Sequence, residues 1–182
     1  SSFQIGSAIP PREILHLEEV RHLDMHMPEG VDSFSLQSLV LRGGVLDSDK
    51  VRQIRIGSTL LKRLKLVGVD VRAGVIPQLT DLESFVCEGC RIHPDNKPSS
   101  IPNWSVLSFR ECELSYELFD RCLTPKLKAL DISHTGLSLQ QVVLEPRLIG
   151  LESLWADGLI EGEAFFQANA LIALKALSIR GG

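Results

Sequence analysis

One short apolar pattern recurs along almost the whole chain, and it limits the possible folds more than any other feature. An apolar residue is followed three positions later by a second one and two positions after that by a third. Successive copies start 16, 25, 21, 22, 23, 24 and 23 residues apart. Self-similarity at this period is typical of a stack of similar units. The eight copies start at Val20, Leu36, Leu61, Leu82, Trp104, Leu127, Leu151 and Leu174.

The second half of each copy alternates between apolar and variable residues, which predicts a β-strand. In the copy at 127–132, Leu130 and Ile132 would point into a core while Ala129 and Asp131 point outward. One such strand cannot bury its apolar side alone. Consecutive strands should therefore stack in parallel at about 4.8 Å. The 29 leucines, against only 5% aromatic residues, suit a core made of many small layers.

The residues between strands are expected to return mostly through short helices. Ser115 and Ser138 are suitable N-caps, and Pro125 and Pro146 follow where the helices should end. Further helices are predicted at 48–56, 161–170 and, near the start, 11–17. The segment 93–102 contains three prolines and should be extended instead.

The pattern is similar to the L-x-x-L-x-L-x-x-N/C-x-L consensus of the leucine-rich repeat family. Cys90 and Cys112 occupy the ninth position, although the family's Asn is missing from every copy. The resemblance implies an α/β fold, namely a right-handed solenoid with a concave parallel sheet and convex short helices and loops. It implies a single domain over 1–182, with about eight turns and an N-terminal cap at 1–19. We expect this domain to be part of a larger protein.

The cysteines could carry chemistry, but the repeat register favours a structural role. Cys87 and Cys90 form a C-x-x-C, which is typical of redox pairs and of half a zinc site. No second C-x-x-C is present, and the register places Cys87 in the core. Cys90 and Cys112 would lie in adjacent turns, and the sequence does not decide whether a disulfide joins them. All four cysteines lie mid-chain rather than at the ends, which favours a reducing, cytoplasmic location.

No metal, cofactor or catalytic residue is expected. His22, Asp24 and His26 share one strand face, but same-face neighbours on a strand are about 6.8 Å apart, which is wide for one ion. Nucleophile–base motifs and phosphate-binding loops are absent from the sequence. We therefore do not expect an enzyme.

The charge pattern narrows the class of partner. A net charge of −4 argues against a general nucleic-acid binder, and charges interrupt every apolar run, which excludes membrane insertion by a helix. A local basic region could dock a phosphate or an acidic partner, but a solvated face is favoured because two of its members fall on the convex side. Its members are Lys62, Arg63, Lys65, Arg42, Arg52 and Arg55.

The concave face is the candidate binding surface. Trp155 is predicted to point outward from it, together with the smaller Val40, Val67 and Val86, and solubility alone would not select these residues. Tryptophan and arginine are the residue types most enriched in interface hot spots. The candidate binding residues are Trp155, Arg110, Asp131, Glu88, Asp157, Arg180, Val86, Lys65 and Arg42.

We therefore expect a protein–protein interaction module that binds an unidentified partner protein through this face. The alternative is the recognition arm of a larger enzyme or receptor. The family resemblance allows a bacterial effector delivered into a host cell, a ubiquitin-ligase adaptor or an immune receptor. A spacer that holds other domains apart is the third interpretation.

Overall fold

The computed structural model of the chain has a mixed α/β fold in which parallel strands predominate and helices are few. It describes residues 2–4, 22–26, 36–57, 60–72, 74–93, 102–159 and 171–180. Within these ranges, no helix is both long and apolar enough to cross a membrane.

Within the described ranges, nine strands form one open parallel sheet, in which consecutive copies of the pattern contribute neighbouring strands. Leu39 pairs with Leu64, Leu64 with Phe85 and Phe85 with Leu107, so the predicted alignment of the copies is confirmed as a strand register. The strands of this large sheet are β1 (Ser2–Gln4), β2 (His22–His26), β3 (Ser38–Arg42), β5 (Arg63–Val67), β7 (Ser84–Glu88), β9 (Val106–Arg110), β10 (Ala129–Asp131), β11 (Ser153–Trp155) and β12 (Ala176–Ser178).

The first strand was not predicted from the sequence, which assigned 1–19 to a cap. Strand β1 pairs in parallel with β2, with Ser2 opposite His22 and Phe3 opposite Leu23. Phe3-Gln4-Ile5 has the apolar–variable–apolar alternation of the other strands. The capping helix predicted at 11–17 lies outside the described residues.

A second, smaller parallel sheet was also not predicted. It consists of β4 (Val45–Leu46), β6 (Asp70–Val71) and β8 (Arg91–Ile92), in that order. Its buried residues, Leu46, Val71 and Ile92, all occupy the eleventh position of their turn. The two-residue strands are too short to leave an alternation that can be recognised in the sequence.

The predicted helices within the described residues are confirmed. They are α1 (Ser48–Gly57), α2 (Tyr116–Cys122) and α3 (Leu139–Val143), and Ser115 and Ser138 cap the last two. The Ser115 side chain accepts from the Leu118 backbone N–H at 3.3 Å. Two 3₁₀ helices, Ile76–Gln78 and Pro146–Leu148, complete the return segments. The helix predicted at 161–170 and most of the extended segment 93–102 lie outside the described residues.

A single apolar core runs beneath the large sheet from Leu36 to Leu159. Its largest side chains cluster in the middle, where the Phe85 ring lies 5.2 Å from that of Trp104 and 6.1 Å from that of Phe109. The largest buried side chains therefore lie beneath the middle strands of the sheet.

In the six copies of the pattern whose eighth position is described, the residue at that position follows the strand and has a left-handed backbone conformation. Four of the six are glycines, and the other two are Glu111 and His134. Each of the six donates its backbone N–H to a carbonyl of the next copy of the pattern, as Gly68 does to Glu88 at 2.8 Å. The reversal directs the chain out of the sheet toward the return segment. The four glycines are Gly43, Gly68, Gly89 and Gly158.

Substitution of two of these glycines should separate backbone strain from steric clash. Gly68→Ala should lower the free energy of unfolding by about 1 kcal/mol, the usual cost of a left-handed L-residue, because its Cβ would meet nothing within 4 Å. Gly158→Ala should cost roughly twice as much, because its Cβ would lie 2.2 Å from His134 Nδ1. Urea unfolding of both variants measures the difference. Equal losses would mean that the His134 ring moves aside freely.

Candidate functional site

The face of the large sheet opposite the core is lined by the third, fifth and seventh residues of each turn, and we call it the exposed sheet face. All nine predicted binding residues lie on this face. Trp155, Arg110 and Arg180 are exposed, and the other six are half-buried. The structure divides the nine into two groups that lie on different strands. Arg42, Lys65, Val86, Glu88 and Arg110 lie on β3 to β9, and Asp131, Trp155, Asp157 and Arg180 lie from β10 onward.

The charges of the first group are largely directed at each other. Lys65 Nζ lies 2.8 Å from Glu88 Oε2, across the β5–β7 pair. This hydrogen bond lowers the pKa of Glu88, and the positive charges of Arg110 and Arg42 lower it further. Arg110 Nε also lies 3.4 Å from the adjacent Glu111 carboxylate. A partner that used these groups would first have to separate them from each other.

The second group, which we call the Trp155 patch, consists of Asp131, Trp155, Asp157 and Arg180. Trp155 is 41% exposed although it lies on an inner strand of the large sheet. The explanation is the size of its neighbours, because Asp131 and Ser178 flank it in register and the third position holds only alanine or serine. Short side chains cannot cover an indole. The third-position residues of these strands are Ala129, Ser153 and Ala176.

Hydrogen bonds fix the polar members of the Trp155 patch. Asp157 Oδ1 accepts from the Ser178 hydroxyl and from the Arg180 backbone N–H, both at 2.9 Å. Asp131 Oδ1 accepts from the Ser133 backbone N–H at 3.0 Å. Both carboxylates are therefore held by neutral donors, and neither makes an ion pair within the described residues. The patch presents a flat aromatic surface beside two fixed acidic groups and the exposed Arg180 side chain.

Val40 does not belong to the exposed surface, contrary to the sequence-based expectation. It is only 7% exposed. Val40 lies opposite Lys65 in the sheet register, with Arg42 and Arg63 two positions away on the same face. The in-register neighbours of Val40 on this face are therefore longer than those of Trp155. Val67 and Val86 are half-buried, which leaves Trp155 as the large apolar side chain exposed on this face in the described residues.

The basic region predicted from the sequence is neutralised by acidic neighbours. Arg52 pairs with Asp49 at 3.2 Å, Lys62 with Glu83 at 3.4 Å, and Arg55 with Asp81. A similar ladder follows the second position near the last strand, where Glu152 lies between Lys128 at 3.3 Å and Lys175 at 2.7 Å. The Arg52–Asp49 pair lies within α1, and the others link neighbouring copies of the pattern on the surface. They leave little excess positive charge to attract a phosphate.

None of the four cysteines forms a disulfide, and all four are buried. Burial raises the pKa of Cys87 well above its ordinary value, so this thiol stays protonated. The Cys90 backbone N–H donates to Cys112 Sγ at 3.4 Å. Hydrogen bonding from Cys112 holds the pKa of Cys90 below its ordinary value, and the same contact raises that of Cys112. The structural interpretation of Cys87 and Cys90 fits their positions in the core.

Within the described residues, no group of three His, Cys, Asp or Glu side chains could hold a metal ion. The backbone of β2 places His22, Asp24 and His26 at alternate positions of one strand, as predicted. Their side chains lie outside the described part of the structure. They therefore add nothing to the candidate site.

A scan against protein-family models found no matching family, and searches of curated proteins and of solved structures found no match. The geometry of the exposed sheet face is therefore what supports a function. It brings three of the predicted binding residues, Asp131, Asp157 and Arg180, together beside a fourth, Trp155. The site also includes the Ser178 hydroxyl and the row of small third-position residues, which the sequence analysis did not count among the candidate binding residues. The alignment of the copies contained both, since these residues occupy the same columns as the predicted ones.

Proposed function

We propose that this chain is a leucine-rich repeat solenoid without enzyme activity that binds a partner protein through the exposed, concave face of its large sheet. The observation that carries the proposal is the exposure of Trp155 among short side chains. A large apolar side chain on an inner strand gains nothing from water, whereas an interface can bury it. Tryptophan is the residue type most often found at the energetic centre of interfaces.

The surroundings of Trp155 favour a protein as the ligand. The Trp155 patch is a shallow surface rather than a closed cavity, which suits a macromolecular partner better than a small molecule. Its fixed carboxylates and the Arg180 side chain surround the indole, as polar groups surround the apolar centre of many interfaces. We place the protein in the cytoplasm, because none of its four buried cysteines forms a disulfide.

The decisive experiment starts with proximity labelling by the full-length protein to identify the partner. The purified partner is then titrated against wild type and variants by surface plasmon resonance. Trp155→Ala should weaken binding about 30-fold, which corresponds to about 2 kcal/mol for a hot-spot side chain. Arg110→Ala should weaken it less, because that side chain lies outside the Trp155 patch.

The chain offers a matched control. Ile149 is also an exposed large apolar residue, but it lies on a return segment rather than on the sheet face. Ile149→Ala should bind the partner within twofold of wild type, and the circular dichroism of both variants should be unchanged. Wild-type affinity in Trp155→Ala would exclude binding through this face.

A further inference from the structure

A pocket of about 230 Å³ opens on the core side of the large sheet, away from the exposed sheet face. It lies between α1 and the return segment that contains the 3₁₀ helix Ile76–Gln78. Its walls are buried aliphatic side chains from α1, from β5 and from both flanking loops. These residues are Val51, Ile54, Leu61, Leu64, Leu79 and Leu82.

The pocket arises from two unlike neighbours in the stack of turns. One turn returns through the ten-residue helix α1, and the next returns through a single 3₁₀ turn of three residues. Return elements of such different size cannot pack along their whole length, and the gap is lined by the apolar faces of both. Side chains beside such a gap lack partner atoms on one side, so an apolar guest would restore these contacts.

The polar groups at the mouth of the pocket are already satisfied. Arg55 donates to the Gln78 carbonyl at 2.7 Å and also pairs with the Asp81 carboxylate. The Gln78 side-chain amide donates to the Gly74 carbonyl at 2.8 Å. A charged ligand would therefore have to break the Arg55–Asp81 pair, whereas a neutral ligand can enter without compensation.

Size limits the ligand further. An apolar cavity of about 150 Å³ lined by similar residues is large enough to bind benzene. At 230 Å³, this pocket has room for one ring with a second ring or a short chain attached. We propose that the pocket binds a small neutral apolar molecule of about the size of a bicyclic aromatic. This site is independent of the Trp155 patch.

Three related probes test both the site and the neutrality of its ligand. Indole, indole-3-acetate and tryptamine share one bicyclic ring and differ in charge. Titration of the whole chain with indole, followed by methyl NMR, should shift the Ile54 and Leu79 methyl signals in a saturable manner. The dissociation constants of the two charged probes should be at least tenfold higher. Equal binding of all three probes would overturn the neutral-ligand assignment.

Two substitutions that fill the pocket test whether indole binds there. Val51→Phe should fill the pocket and raise the dissociation constant for indole at least tenfold, and Leu82→Phe provides a second filling variant from the opposite wall. Trp155→Ala should bind indole like wild type, which separates this site from stacking on the exposed indole. Unchanged indole binding in both filling variants, or no saturable shift of the pocket methyl signals in wild type, would overturn the proposal.

Discussion

Replacement of Trp104 by alanine should lower the free energy of unfolding by about 3–5 kcal/mol, the usual cost of removing a large aromatic side chain from a core. Trp104 is 0% exposed and packs against Phe85 with ring centroids 5.2 Å apart. Its Nε1–H donates to the Leu79 carbonyl at 2.9 Å. The substitution would therefore leave a cavity beneath the centre of the large sheet and remove a link between two turns.

Two further variants separate the loss of the indole hydrogen bond from the loss of the buried ring. Trp104→Phe keeps an aromatic ring beside Phe85 but loses the indole donor, and it should cost about 1–2 kcal/mol. The Leu79 carbonyl would still accept from the Leu82 N–H at 3.2 Å, which limits the loss. Trp155→Ala should change stability by less than about 0.5 kcal/mol, because its side chain is exposed.

Guanidinium unfolding followed by far-ultraviolet circular dichroism measures all three variants without relying on tryptophan emission. The chain contains two tryptophans, and we expect them to affect different properties. Trp104 should affect stability, whereas Trp155 should affect partner binding. A loss below about 1 kcal/mol for Trp104→Ala would contradict the packing described for the core.

Much of the fold could be predicted from the sequence because the same requirement for burying apolar side chains recurs from one copy of the pattern to the next. Each strand must bury the same two columns of side chains, so Leu130, Leu154 and their equivalents occupy fixed positions. The left-handed eighth position was missed although its column is rich in glycine. The repeat was recognised from its apolar positions, and the glycine column is interrupted by Glu111 and His134, so it does not stand out as a conserved position of the pattern.

The candidate site was less predictable than the fold. Alternation shows which face a side chain lies on, but the exposure depends on the length of the neighbouring side chains in register. Val40 and Trp155 occupy the same fifth position, yet Lys65 lies opposite Val40 while Ser178 lies opposite Trp155. The pocket beside α1 could not be predicted either, since it depends on how two unlike return segments fit together.

A second large effect is expected at Arg147, which links two neighbouring return segments. Its guanidinium donates to the Asp120 carbonyl at 2.9 Å and also pairs with the Asp120 carboxylate. It also contacts both carboxylate oxygens of Glu145, at 2.6 and 2.8 Å. Glu145 is only 7% exposed, and its hydrogen bond with Arg147 lowers its pKa.

Arg147→Met should lower the free energy of unfolding by about 3 kcal/mol at neutral pH, because it leaves the Glu145 carboxylate buried without a cation. The double variant Glu145→Gln/Arg147→Met removes the unpaired charge and should recover a large part of this loss. Urea unfolding of the two variants and wild type measures the difference. If the double variant were no more stable than Arg147→Met, burial of the unpaired charge could not be the cause of the loss.

The pH dependence should have opposite signs in wild type and Arg147→Met. In wild type the pKa of Glu145 lies below the ordinary value of a glutamate, so its contribution to stability is complete above that ordinary value and is lost as the pH falls through the lowered pKa. Without Arg147, burial should raise this pKa instead. The deficit of Arg147→Met relative to the double variant should therefore be greatest at neutral pH and shrink as the pH falls through the raised pKa. A deficit that stays constant between about pH 4 and 7 would mean that the Glu145 carboxylate regains water when its partner is removed.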